Sequence, residues 1–159
     1  LDALGYSKAI IGVMWALSVV VEIAWFYTQG RWLPRFSLRA WLVLAAVATL
    51  LRMGMMSVGA QWLVVLLLAQ ALHAITFAAH HTVSIALVSH HFPGSLRGRG
   101  QALFTVIGYG ITGVSAGFFG GWLSTHFGIA SVFWAACACS VLAMVAAYQT
   151  MRKNQTAKP

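Results

Sequence analysis

Five long apolar runs constrain the fold of this chain more than any other feature of its 159-residue sequence. Each run holds the roughly 20 largely apolar residues that a helix needs to cross a bilayer. The runs cover residues 9–29, 38–58, 62–88, 101–122 and 130–148. They are far too long for strands, and an open sheet edge is not tolerated in contact with lipid. The sequence therefore predicts an all-α, polytopic transmembrane bundle of five spans, with antiparallel neighbours because the connections are short.

The composition fits a membrane protein and not a soluble domain. Hydrophobic residues make up 60% of the chain and charged residues only 8%, whereas a soluble domain carries roughly 25% charged residues. The ten basic residues outnumber the two acidic ones, a balance that in a soluble protein suggests nucleic acid. In a membrane protein the same excess records topology. We therefore predict the lipid bilayer as a partner and no nucleic-acid partner.

The positions of the basic residues predict the orientation of the chain, because cytoplasmic connections are enriched in Lys and Arg. Eight of the ten lie after the first, third and fifth spans: Arg31, Arg35, Arg39, Arg97, Arg99, Arg152, Lys153 and Lys158. The alternate connections, "SVGAQW" and "STHFGIAS", contain none. We predict a cytoplasmic carboxy terminus and an external amino terminus. An odd number of spans in this orientation also predicts a further span before Leu1, in a longer protein.

Two charged residues lie deep inside predicted spans, away from the span ends. Glu22 is the only acidic one, and a carboxylate near the bilayer centre costs at least about 2.5 kcal/mol. It is expected to face the bundle interior, where it either carries a proton or pins one helix to another. Arg52 either serves as the counter-ion of Glu22 or of a substrate anion, or extends towards the outer surface. The two residues differ in depth by roughly 10 Å, so a direct pair requires stretched side chains or offset helices.

The third predicted span carries a polar stripe. Helical spacings of three and four place five residues on one face: Gln70, His73, Phe77, His80 and Ser84. His81 is expected about 80° away from His73. Such a stripe is typical of a helix that lines a cavity, and His73 lies close to the estimated depth of Glu22. Histidine titrates near physiological pH, so these residues are candidates for proton coupling. The alternative is hydrogen bonding between helices, worth about 1 kcal/mol.

The sequence predicts no cofactor, metal or catalytic centre. The histidines lack the short spacing of membrane di-iron sites, no carboxylate cluster accompanies them, and no nucleophile triad or phosphate-binding loop is present. The chain is therefore predicted not to be an enzyme, and a haem or metal membrane protein is kept as a remote alternative.

The fourth predicted span is rich in glycine. Gly113, Gly117 and Gly121 recur every four residues, a spacing that lets helix backbones approach closely. The contact is expected either to pack tightly or to rock during alternating access. Tyr109 adds a hydroxyl group to this span and is a candidate cavity residue.

These features together resemble the carboxy-terminal half of a major facilitator superfamily transporter, helices eight to twelve. The segment "GRWLPRFSLR" is similar to a cytoplasmic loop motif of that family through Gly30, Arg35 and Arg39, although the acidic residue of the motif is absent. Within the family the chain most resembles the 3-phenylpropionate permease and nucleoside:proton symporter-like group. The stretches that carry this likeness are "GYSKAIIGVMWALSVVVEI", "LLRMGMM" and "LHAITFAAHH".

The resemblance implies proton-coupled secondary transport of a small organic solute, such as an aromatic carboxylate, by alternating access in the bacterial inner membrane. From "LHAITFAAHH" it implies site roles for His73, Thr76, Phe77 and His81. Phe77 and Trp15 are candidate surfaces for a substrate ring. The partners expected are a small-molecule substrate, protons and a missing amino-terminal half of the same protein. The alternative from another class is a non-transporting membrane scaffold or receptor with a transporter-like fold.

Overall fold

The chain folds into five long helical spans. The computed structural model describes residue 1 and residues 4–155, with the backbone alone for residues 150–155. The basic side chains predicted for the carboxy-terminal tail lie outside the described residues. The spans run over Lys8–Arg35, Leu38–Gly59, Leu63–His91, Gly94–Phe127 and Ile129–Gln149, and each is long and apolar enough to cross a membrane. The predicted all-α bundle is confirmed, and no strand occurs among the residues described.

Three of the spans, the first, third and fourth, are not uniform α-helices. The α-helical segments are Lys8–Trp32, Leu38–Gly59, Leu63–Ala71, His80–His91, Arg97–Thr105, Thr112–Phe127 and Ile129–Gln155. Short 3₁₀ turns cover Leu33–Arg35 and Gly94–Leu96. The third span contains a π-helical turn at Ala74–Ala79, and the fourth contains one at Val106–Ile111.

Local sequence signals set several ends of the spans. Ser7 and Ser37 cap the first two spans, where their hydroxyl oxygens accept hydrogen bonds from the backbone N–H groups of Ile10 and Ala40. Such caps satisfy amide groups that have no partner inside the helix. Gly128 separates the fourth and fifth spans with a φ of 81°, a left-handed conformation that glycine adopts without strain.

The π turn in the third span changes which histidine shares a face with His73. A π-helical hydrogen bond joins residues five apart, so the turn takes up an additional residue and shifts the phase of everything beyond it. The ring of Phe77 stacks on His73, with centroids 5.3 Å apart, and His81 stacks on Phe77 at 6.2 Å. His80 points instead into a cavity beside the second and fifth spans. The predicted stripe was therefore wrong in joining His80, and not His81, to His73 and Phe77.

The first three spans share a buried core that holds them in register. Trp25 and Trp41 meet edge to face at 5.2 Å, and both pack with Ala78, Ala79 and Val83 of the third span. This cluster lies one helical turn or so from Glu22 and fixes the first span against the third. The second span also packs along the fifth. The core thus brings Glu22 of the first span, Arg52 of the second and His73 of the third close enough together for His73 to contact both of the others.

The fourth span is the least covered part of the bundle. None of its most apolar 18-residue stretch is buried by the rest of the described chain. A Cβ atom added at Gly113, Gly117 or Gly121 would meet no atom within 4 Å apart from its chain neighbours and its own helix backbone. The close helix contact predicted for these glycines is not made among the described residues, and their packing role stays a prediction. A Cβ atom added at Gly120, beside them, would lie 3.6 Å from Val132 Cγ1 of the fifth span, an ordinary van der Waals distance.

Candidate functional site

Three polar side chains from three spans form a continuous chain in the interior of the bundle. His73 Nε2 lies 2.7 Å from Glu22 Oε1, and His73 Nδ1 lies 2.7 Å from Arg52 Nη1. The side chains of His73 and Glu22 keep only 20% and 21% of their surface exposed. Glu22 and Arg52 make no direct ion pair in the part of the chain described, since the imidazole ring lies between them.

The chemistry of arginine decides where the proton of His73 sits. An arginine side chain only donates hydrogen bonds, so Nδ1 of His73 must accept from Arg52. A neutral imidazole carries one N–H group, which is therefore at Nε2 and donates to the carboxylate of Glu22. The chain of donors runs from Arg52 through His73 to Glu22. In this arrangement His73 is neutral, since a proton on Nδ1 would face the guanidinium.

Arg52 is held at this position by a second contact. Its Nη1 also donates to Thr76 Oγ1 at 3.2 Å, one turn along the third span from His73. Of the two alternatives for Arg52, extension towards the outer surface is not the one observed, because the side chain turns inward to the third span. The Nε atom of Arg52 is buried and has no hydrogen-bond partner within the described structure.

A cavity of about 520 Å³ opens beside these residues. We call it the Arg52 cavity, and its lining residues come from the first three spans and the amino-terminal segment: Leu1, Ile11, Met14, Trp15, Ser18, Arg52, Gln70 and His73. It therefore brings the predicted cavity residues Trp15 and Gln70 together with Arg52 and His73. Glu22 lies behind His73 and does not line it.

A row of aromatic rings leads away from His73 towards the fourth span. His73, Phe77 and His81 follow one another along the third span. His81 Nδ1 then lies 3.0 Å from the hydroxyl oxygen of Tyr109. The ring of Tyr109 meets Phe104 edge to face. Two predicted cavity residues, Phe77 and Tyr109, thus join the proton-coupling candidates His73 and His81 in one row.

His80 lies in a second cavity, of about 660 Å³, between the second, third and fifth spans. We call it the His80 cavity, and alanine side chains form much of its wall, with Thr49, Thr76 and Ser140 as polar members. Thr76 therefore borders this cavity while its hydroxyl group accepts from Arg52. The structure does not bring His80 together with Glu22 and His73.

The residues of the predicted cytoplasmic loop motif occupy three separate environments. Gly30 lies within the first span with open space around it. The guanidinium of Arg35 stacks over the ring of Trp32, 4.4 Å from its centroid. Arg39 borders a small cavity with Ser37, His90 and His91. Among the described residues, no group of three or more His, Cys, Asp or Glu side chains is placed to hold a metal ion.

Sequence reasoning did not find two contacts that complete the site. The bond from Arg52 to His73 was not predicted, because the depth estimate compared Arg52 with Glu22 alone. The bond from Arg52 to Thr76 has a weak signal in the sequence, since Thr76 follows His73 by three residues and lies on the same side of the helix. Both contacts depend on how the second span rotates against the third.

Comparison with known proteins agrees with this architecture. The chain matches the MFS_1 like family over residues 1–135. The chain belongs to this family. It is also 31% identical, over 147 residues, to a "Probable 3-phenylpropionic acid transporter" of Escherichia coli (strain K12). The predicted membership in the major facilitator superfamily is thereby confirmed, and both likenesses point to a transporter and not to an enzyme.

The matched region covers 91% of this chain but 36% of that relative. The chain therefore spans little more than a third of the length of the transporter it resembles. No solved structure matches the chain.

Proposed function

We propose that the protein containing this chain is a proton-coupled secondary transporter of a small organic solute, working by alternating access in the bacterial inner membrane. The observation that carries the proposal is the chain of Arg52, His73 and Glu22 in the interior of a membrane bundle. An acidic group and a histidine at membrane depth are costly and are typical of proton relays. The described chain would supply the carboxy-terminal half, with an amino-terminal half completing the substrate path.

The proton acts on the hydrogen-bonded pair of Glu22 and His73 in this proposal. The carboxylate of Glu22 accepts from His73 Nε2, so a proton taken up by the pair changes the charge opposite Arg52 by one unit. A site whose charge changes by one unit when the proton enters can couple proton movement to a conformational change. We place His81 and Tyr109 in the row that borders the substrate path, and we leave His80 outside the proton path because it opens into a different cavity.

The substrate we propose is an aromatic carboxylate such as 3-phenylpropionate. The similarity to the E. coli protein supports this choice, as does the content of the Arg52 cavity. A volume of about 520 Å³ lies within the usual range for small-ligand sites, and the cavity combines a cation with the indole ring of Trp15. Phe77 offers a second aromatic surface beyond His73.

Uptake by the full-length protein in proteoliposomes tests the proposal. An imposed proton gradient, acid outside, should drive accumulation of radiolabelled 3-phenylpropionate. We expect Glu22→Gln to abolish this gradient-driven uptake while sparing counterflow exchange, because the amide keeps the hydrogen-bonding shape but lacks the negative charge that lets the pair with His73 hold a proton. Arg31→Gln, at the exposed end of the first span, is the matched control and should transport normally.

Two results would count against the proposal. Gradient-driven uptake that survives Glu22→Gln would remove Glu22 from proton coupling. Absence of any uptake or exchange in wild-type proteoliposomes, with the solute bound, would favour a membrane receptor or scaffold instead.

A further inference from the structure

We propose that Arg52 is the shared partner of His73 and of the carboxylate of the substrate, so that anion binding at Arg52 is what allows His73 to take up a proton. The inference rests on the proposed function and names how its two ligands are linked. It assigns Arg52 the role of anion site and His73 the role of the proton site that Arg52 controls.

Only part of the guanidinium of Arg52 is engaged. Both of its hydrogen bonds, to His73 Nδ1 and to Thr76 Oγ1, come from Nη1. Within the described structure, Nε has no partner, and no hydrogen bond of Nη2 is found either. Nε and Nη2 form one edge of the planar group, and such an edge binds a carboxylate through two parallel hydrogen bonds. The edge formed by Nε and Nη2 can therefore bind a carboxylate, and Arg52 lines the Arg52 cavity from which a carboxylate would approach.

A carboxylate cannot use this edge without moving Arg52. The Nε atom is buried, so the guanidinium must shift towards the Arg52 cavity before both nitrogens can donate to the anion. This shift lengthens the 2.7 Å contact between Nη1 and His73 Nδ1. Anion binding and the bond to His73 therefore compete for the same group.

Release of Arg52 changes what His73 can bind. Nδ1 accepts from Arg52 only while it carries no proton, and it becomes free to accept one when the guanidinium moves away. The proton comes from the bulk solution through the Arg52 cavity, and the imidazolium that forms keeps its Nε2–H bond to the carboxylate of Glu22. Among the residues that the structure describes, Glu22 from the first span and Arg52 from the second are the charged groups that face His73. One anion and one proton enter together, so the net charge of the site does not change.

A binding experiment on the purified full-length protein tests the linkage directly. The probes are 3-phenylpropionate and its neutral amide, 3-phenylpropanamide, which have nearly the same shape. Between about pH 6 and pH 8 the acid stays ionised, so any pH dependence belongs to the protein. We expect the affinity for the acid to rise by up to about tenfold for each unit of falling pH, with about one proton taken up per anion bound. The amide should bind with neither effect.

Variants separate the two roles. Arg52→Gln should lose the preference for the acid over the amide, and Arg52→Lys should keep only part of it because an ammonium group lacks the paired edge. His73→Gln can still accept from Arg52 and donate to Glu22, so it should bind the acid but show no proton uptake. Arg31→Gln is the control for loss of a positive charge. Thermal unfolding and gel filtration verify that each variant is folded.

Several outcomes would overturn the inference. One is wild-type binding of the acid without proton uptake, which needs no variant to observe. Another is an unchanged preference for the acid in folded Arg52→Gln, and a third is proton uptake that persists in His73→Gln. If uptake remains proton-driven and dependent on Glu22 in any of these cases, the linkage through Arg52 is wrong while the proposed function stands.

Discussion

At the scale of single residues, the site consists of groups that would each be costly alone in a membrane. A lone carboxylate or guanidinium at this depth lacks the water that would solvate it. His73 joins the two, because its ring has an acceptor on one side for Arg52 and a donor on the other for Glu22. No other side chain type has a rigid ring with two nitrogens in this arrangement, and this explains why a histidine is well suited to the position.

The first prediction concerns the bridging role of His73. His73→Leu removes both hydrogen bonds and leaves two charged groups unpaired, so we expect a loss of stability on the order of 2 kcal/mol. His73→Gln retains a donor and an acceptor and should lose clearly less. Chemical unfolding of the purified protein in detergent measures both changes. A leucine variant as stable as the wild type would mean that the polar chain does not hold the spans together.

At the scale of elements, the π turns and the glycines shape how the spans meet. The π turns at Ala74–Ala79 and Val106–Ile111 lie on the third and fourth spans. His81, just after the first turn, contacts Tyr109, within the second. Gly100, near the start of the fourth span, allows a close packing contact. It lets the ring of Phe92 pack directly against the helix backbone, since an added Cβ would lie 2.5 Å from Phe92 Cγ.

The second prediction uses this contact to test the packing of the fourth span. Gly100→Ala forces Phe92 to move, because atoms near the base of its side chain and not its flexible end are in the way. We expect a lower unfolding temperature. Gly98→Ala, two residues earlier in the same helix, meets open space and should be neutral or stabilising by up to about 1 kcal/mol. Equal effects of the two substitutions on the unfolding temperature would contradict the packing.

At the scale of the whole molecule, the first three spans build the polar site and the fourth is left uncovered. The Arg52 cavity is lined by the first three spans and Leu1, whereas the most apolar part of the fourth span is exposed within the described chain. The relative named above is nearly three times as long as the region it shares with this chain. A further set of helices would cover apolar surface here, in agreement with the proposal that the chain is one half of a transporter.

The third prediction tests the proposed orientation in the membrane. In full-length protein with Cys137 and Cys139 replaced by alanine, we introduce one cysteine at a time. Ser95→Cys, in the 3₁₀ turn that begins the fourth span just before Arg97, should react with a membrane-impermeant maleimide only after the cells are permeabilised. Gln61→Cys, in a connection without basic residues, should react in intact cells. The reverse pattern would place the basic connections outside and overturn the predicted topology.

The number and type of spans could be read from the sequence because they depend on local properties. Whether a stretch such as 38–58 is apolar for the full width of a bilayer is decided by its own residues. Glu22, Arg52 and His73 could also be singled out in this way, because a polar group in an apolar run is conspicuous whatever surrounds it. The identity of their partners could not, since that depends on the rotation of three helices about their own axes.

The sequence by itself determined that this stretch of chain forms five helices long and apolar enough to cross a membrane, with a small set of polar groups inside them, because hydropathy and charge act along the chain. Only the tertiary structure decided that His73 joins Arg52 to Glu22, and that His81 follows Phe77 while His80 turns away. The physical reason for the second point is the π turn at Ala74–Ala79. This turn takes up one more residue than an α-helical turn because its hydrogen bonds join residues five apart. Nothing in the spacing of the residues along the sequence marks where such a turn occurs.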